Sequence, residues 1–86
     1  MRVALTNTFR RDYGRLPKTA QEKVDRQIGM LAKDPHHPSL RVKKIKGTPG
    51  IWEARADRGY RMTFVVRESV MFLRRVGPHD RTLERP

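Results

Sequence analysis

The sequence predicts an α+β domain, with an N-terminal strand and a helical hairpin packed on one face of a small antiparallel β-sheet. Three observations carry this expectation. Apolar residues recur with helical period between residues 20 and 31, three strand-like runs separated by short turn signals fill the second half, and 86 residues suffice for one core only. Residues 1 to 86 are therefore read as a single domain.

The elements follow in order. Arg2 to Thr6 reads as a short strand, after which Thr8 or Asn7 is placed to cap a helix carrying Phe9, Tyr13 and Leu16 on one face. Gly14 and Pro17 punctuate it. Pro17 suits a first helical position, Thr19 and Glu22 have capping-box spacing, and Ala20, Val24, Ile28 and Leu31 form an apolar stripe that Asp34-Pro35 ends. His36 and His37, between two prolines, read as turn residues. Leu40 to Ile45 reads as a short basic strand or extended loop. The runs IWEARA (51 to 56), YRMTFVVR (60 to 67) and VMFLRRV (70 to 76) then read as three antiparallel strands.

Turn lengths fix an expected register. A two-residue turn at Glu68-Ser69 pairs Arg67 with Val70, Thr63 with Arg74 and Arg61 with Val76; a three-residue loop at 57 to 59 pairs Arg55 with Arg61 and Glu53 with Thr63. Opposed residues share a face. One face then gathers Trp52, Ala54, Ala56, Tyr60, Met62, Phe64, Val66, Met71 and Leu73 as core, and the other, expected to be open to solvent, gathers Glu53, Arg55, Arg61, Thr63, Arg67 and Arg74. Arg75 falls on the opposite face or its rim. Trp52 and Tyr60, suited to stacking on bases, are sent inward by this register.

Charge narrows the partners. Twenty lysines and arginines stand against nine acids, a net charge of +11, which favours a polyanion or an acidic protein. Residues 40 to 86 carry 12 of the basic side chains and 5 of the acids, so the second half is the expected contact surface. With no cysteine there is neither a disulfide framework nor a thiolate zinc site. No run is apolar and long enough for a signal peptide or a membrane span, so the expected location is cytoplasmic, without membrane contact.

Arg55 beside Arg61 presents two guanidinium forks suited to phosphate, unless Glu53 and Asp57 simply neutralise them. Glu53 is the one acid on that face and reads either as a proton acceptor or as an ion-pair partner that orients Arg55 or Arg74. His79, just past the last strand, is placed for general acid or base work or stands as an inert loop histidine. Lys43, Lys44 and Lys46, with Arg41, form a basic cluster suited to RNA backbone, or a charged sheet edge that resists aggregation. Arg74 and Arg75 extend this basic surface. The pair His79-Asp80 spells a metal-dependent phosphohydrolase motif, but three histidines in two loops do not make such a site, and no metal or cofactor is expected.

Three segments together resemble the RelE/ParE superfamily of bacterial toxins over nearly the whole chain: His37 to Gly47, then Trp52 and Arg55 with Tyr60-Arg61, and finally Val76, Gly77 and His79. The resemblance implies a metal-independent endoribonuclease of the RelE, YoeB and YafQ kind, whose partners are messenger RNA, the ribosome and a cognate antitoxin, in a toxin-antitoxin hetero-oligomer. It further implies attack by a 2′-hydroxyl on the adjoining phosphate. Glu53 and Arg55 match outward strand positions that carry catalytic residues in such toxins, Arg61 matches their phosphate-stabilising arginine, and His79 matches the C-terminal histidine of the YafQ pattern. Either Glu53 or His79 is then the base. The C-terminal tyrosine or phenylalanine of several relatives is absent, with Asp80 and Arg81-Thr82-Leu83 in its place. The ParE branch implies instead a toxin that binds DNA gyrase without cutting RNA, and a detoxified relative would keep antitoxin binding alone.

Overall fold

The computed structural model describes residues 1 to 86. Strand β1 (Arg2–Leu5) leads into helices α1 (Asn7–Gly14) and α2 (Lys18–Lys33). A short 3₁₀ turn (Pro38–Leu40) precedes β2 (Lys43–Lys44), β3 (Trp52–Arg55), β4 (Tyr60–Arg67), β5 (Val70–Pro78) and helix α3 (His79–Glu84). The strands form one sheet in the order β1-β5-β4-β3-β2. It is a mixed sheet rather than a purely antiparallel one, because β1 runs parallel to β5, with Arg2 opposite Val70 and Leu5 opposite Leu73.

Local chemistry sets the helix ends, though not at the expected residues. Thr6 caps α1, its hydroxyl accepting from Phe9 N at 3.2 Å and donating to Leu73 O at 2.8 Å, so one side chain starts the helix and ties it to β5. Neither Asn7 nor Thr8 does this. Pro17 precedes α2 as its cap residue, and no side chain caps that helix, so the Thr19 and Glu22 capping box does not form. Asp34 ends α2 as expected. His37 holds the following turn, its Nδ1 accepting from Ser39 N at 3.1 Å.

The helical hairpin covers one face of the sheet. Phe9, Val24, Leu31 and Leu40 meet Ala54, Ala56, Met62, Phe64, Met71, Leu73 and Val76 in a single core, with Trp52 and Tyr60 half-buried at its margin. Val66 points to this side but lies beyond the reach of the helices and is exposed.

The register between β3 and β4 is the expected one, with Arg55 opposite Arg61 and Glu53 opposite Thr63. Between β4 and β5 it slips. Arg67 pairs with Val70, but a bulge at Thr63/Phe64 puts Thr63 opposite Arg75 and Arg61 opposite Gly77, one residue later than expected. The extra residue lets Val76 turn into the core after two arginines. It also extends β5 to Pro78.

The outer face is not fully open. Helix α3 folds back over it, with Thr82 buried, and Pro86 O accepts hydrogen bonds from Thr63 Oγ1 at 2.8 Å and from Arg74 Nε at 3.2 Å. Gly77 makes this return possible: a Cβ there would stand 2.9 Å from Thr82 Oγ1. Gly77→Ala is expected to lift α3 and to cost about 1–3 kcal/mol, as overpacking does. Faster amide exchange in residues 79 to 84, restored by a second change of Thr82→Ala, is the measurement that checks it; unchanged exchange would contradict it.

Candidate functional site

The sheet end formed by the β3–β4 loop and the start of α3 collects the charged groups. Arg55 and Arg61 are directly opposed across β3 and β4. The Arg61 guanidinium is held on two sides: Nη1 donates to Asp57 O at 2.9 Å and Tyr60 O at 3.0 Å, and Nε lies 3.9 Å from Glu53 Oε1. Its Nη2 makes no hydrogen bond within the protein. Glu53 itself is buried at 7% exposure, as is fully enclosed Thr63 opposite it.

This cluster is short of negative charge. Burial, and then the neighbouring Arg55, push the Arg61 guanidinium below its ordinary value; Glu53 opposes the shift and Arg41 adds to it. Two carboxylates, Glu53 and the Asp57 that Lys23 already pairs, stand against three guanidinium groups, which leaves a place for an anion with several oxygens, such as phosphate.

The loop that carries Arg61 is braced from α2. Lys23 Nζ lies 3.2 Å from Asp57 Oδ2, and Gln27 Nε2 donates to Arg55 O at 3.0 Å. The Asp57 carboxyl is held below its ordinary value mainly by the Arg58 backbone N–H, 2.6 Å from Oδ1, with Lys23 and Arg55 adding against a smaller opposing effect of burial. Because the folded-state value is the lower one, this stabilisation is present above the unfolded value of about 3.9 and is lost as pH falls through the folded value. An NMR titration should therefore show the Arg58 amide moving with a midpoint below about 3.9. A midpoint at or above that value would contradict the bracing.

His79 reaches the same sheet end. Its backbone N–H donates to Gly59 O at 2.9 Å, and its Nδ1 stands 2.9 Å from Asp80 Oδ1. Asp80, which the sequence left without a role, is thus placed to orient the imidazole. The ring is about half exposed and can meet a ligand from solvent.

The basic residues divide. Lys43 lies opposite Glu53 and shares its face, whereas Lys44 lies opposite Trp52 and so projects from the other side of the sheet; both are exposed, as is Lys46 in the following loop. Arg74 stays on the outer face beside Pro86. Arg75 leaves it, with Nε 2.7 Å from Asp12 Oδ2 on α1, an acceptor shared with Val76 N at 3.2 Å. Its charge is already answered.

Sequence reasoning missed two contributors. Arg85, together with the already noted Arg74 and with Thr6, Thr8 and Thr48, lines a groove of about 620 Å³ beside Pro86. Arg41, read only as part of the lysine cluster, lies near enough to Arg61 to affect it, and its left-handed backbone (φ 45°) is what turns the chain out of the 3₁₀ turn. Neither the turn nor the return of the C-terminal segment has a strong local signature.

No family model matches the sequence, and no curated protein does. Solved structures do. The toxin-antitoxin complex RelBE2 from Mycobacterium tuberculosis matches with a TM-score of 0.72 at 28% identity, over 91% of this chain and 96% of that one. The RelB-RelE antitoxin-toxin complex from Methanococcus jannaschii matches with a TM-score of 0.76 at 21% identity, over 94% and 95%. YafQ from E. coli matches with a TM-score of 0.72 at 14% identity, over 95% and 98%.

Proposed function

We propose that this chain, whose fold is that of the RelE and ParE toxins, is the toxin of a toxin-antitoxin pair and cuts messenger RNA on the ribosome. The observation that carries the reading is the joining of opposed Arg55 and Arg61, buried Glu53 and loop-anchored His79 at one end of the sheet.

The chemistry divides among them. A 2′-hydroxyl attacks the adjoining phosphorus, and the 5′ oxygen of the next nucleotide leaves, giving a 2′,3′-cyclic phosphate and a 5′-hydroxyl. Glu53 takes the proton of the attacking hydroxyl. Arg61, with Arg55 beside it, holds the charge that grows on the phosphorane oxygens, an interaction that is stronger in the transition state than with bound substrate. His79 returns a proton to the leaving oxygen. Lys43, Arg74 and Arg85 grip the flanking backbone without reading sequence.

The structural neighbours that are complexes with RelB support an antitoxin partner, and the surface charge suits an acidic one. Induced expression should arrest growth and leave new messenger fragments that begin with a 5′-hydroxyl, mapped by enzymatic phosphorylation and sequencing. Growth arrest with intact messengers and inhibited supercoiling would replace this reading by the gyrase-binding one.

A further inference from the structure

The outer face carries an aromatic group that the cleavage chemistry does not use. Val65 and Phe72 are opposed across β4 and β5, next to the pair Phe64 and Leu73 whose side chains enter the core, so Val65 and Phe72 project from the other side. Phe72 is also opposite Ala4 of β1. Both side chains are only half-buried.

A lone surface apolar residue needs no explanation. This pair differs in its surroundings. It floors a cavity of about 220 Å³ whose other lining residues are Thr6, Arg67 and Arg74, with no acid among them. That volume lies below the range of drug-sized ligand sites and suits one planar ring rather than the face of a helix. Thr6 and Arg74 also line the larger groove, so the two cavities adjoin. Along β4, Val65 stands four residues from Arg61, about 13 Å at strand rise, which is a span of a few nucleotides of extended single strand. An apolar peptide would offer nothing to Arg67 or to the remaining donors of Arg74, whereas a nucleotide offers a π-face to the ring and phosphate to the arginines.

We propose that Val65 and Phe72 form a stacking platform for one base of single-stranded RNA, flanked by Arg67 and Arg74, a few nucleotides from the phosphate held by Arg55 and Arg61. The proposal rests on the nuclease reading and adds to it a second point of substrate contact. Because every base has a π-face, the platform sets the position of the strand rather than its sequence.

The test is a fluorescence anisotropy titration of the purified chain with a labelled 2′-O-methyl RNA of about six nucleotides, which binds without being cut. Phe72→Ala and Phe72→Leu should each weaken binding by about 5-fold to 150-fold, while Phe72→Tyr, which keeps the ring, should bind as the wild type does. Removing the base at one position of the oligonucleotide should weaken the wild type to a similar degree and leave Phe72→Ala unaffected. Equal binding by wild type and Phe72→Leu overturns the platform and leaves the nuclease reading standing. No RNA binding by the wild type overturns the platform, and the nuclease reading then stands or falls by the 5′-hydroxyl messenger fragments. Loss of an acidic partner peptide in Phe72→Ala, with RNA binding intact, overturns the platform in favour of a protein-docking surface. Circular dichroism of Phe72→Leu and Phe72→Tyr, which keep the apolar volume, checks that the fold is held in common.

Discussion

Arg61→Ala is expected to slow messenger cleavage by about 10²-fold to 10³-fold, the loss typical of removing one preorganised donor from a developing oxyanion, and to abolish growth arrest. The size follows from how the side chain is held. Three carbonyls of the β3–β4 hairpin and the Glu53 carboxylate fix the guanidinium before any ligand arrives, so little reorganisation is left for the transition state. Arg61→Lys keeps the charge but cannot span the carbonyls and a phosphate together, and it should recover only a small part of the lost rate. Single-turnover cleavage of a reporter messenger measures both. Wild-type rates in Arg61→Ala would remove the foundation of the nuclease reading.

His79→Ala should cost about 10²-fold to 10⁴-fold, the range for a lost general acid. The role, rather than the mere importance, of His79 is what a sulfur substrate reports. When sulfur replaces the 5′ leaving oxygen, departure needs no proton, so His79→Ala should cut that substrate as fast as the wild type does. Glu53→Gln should remain slow on both substrates. If His79→Ala stays equally impaired on the sulfur substrate, His79 is not the acid. Asp80→Ala is the lesser change, because its carboxylate is 97% exposed and exposed pairs contribute about 1 kcal/mol at most, so the rate should fall no more than about 5-fold.

The parts of the fold that were legible in the sequence are those governed by short-range rules. The three-residue loop after Ala56 dictates its own pairing, and with it the meeting of Arg55 and Arg61. The stripe Ala20, Val24 and Leu31 likewise dictates which side of α2 is buried. What escaped was governed by exceptions to period. In Leu73-Arg74-Arg75-Val76 two charged residues separate two buried ones, an interruption that a strict alternation cannot fit and that a bulge resolves. That pattern was a readable sign of the bulge. The return of α3 was harder to see, since Asp80 in its first turn is an ordinary helix-start signal and nothing local shows that Gly77 leaves room for Thr82. Phe72 was overlooked for a simpler reason. The expected register already opposed it to Val65 on the outer face, but only the charged residues of that face were read as a site.

The parallel pairing of the first strand with the last has a consequence for how the molecule comes into being. Arg2 must find Val70, so the sheet has no complete edge until residue 70 has been synthesised, and the loop closed by that contact is long. Arg61, Gly77 and His79 are likewise brought together only once residue 79 is free to fold back. The end of the sheet that carries Arg61 therefore forms late, from contacts distant in sequence, and no early segment holds it alone.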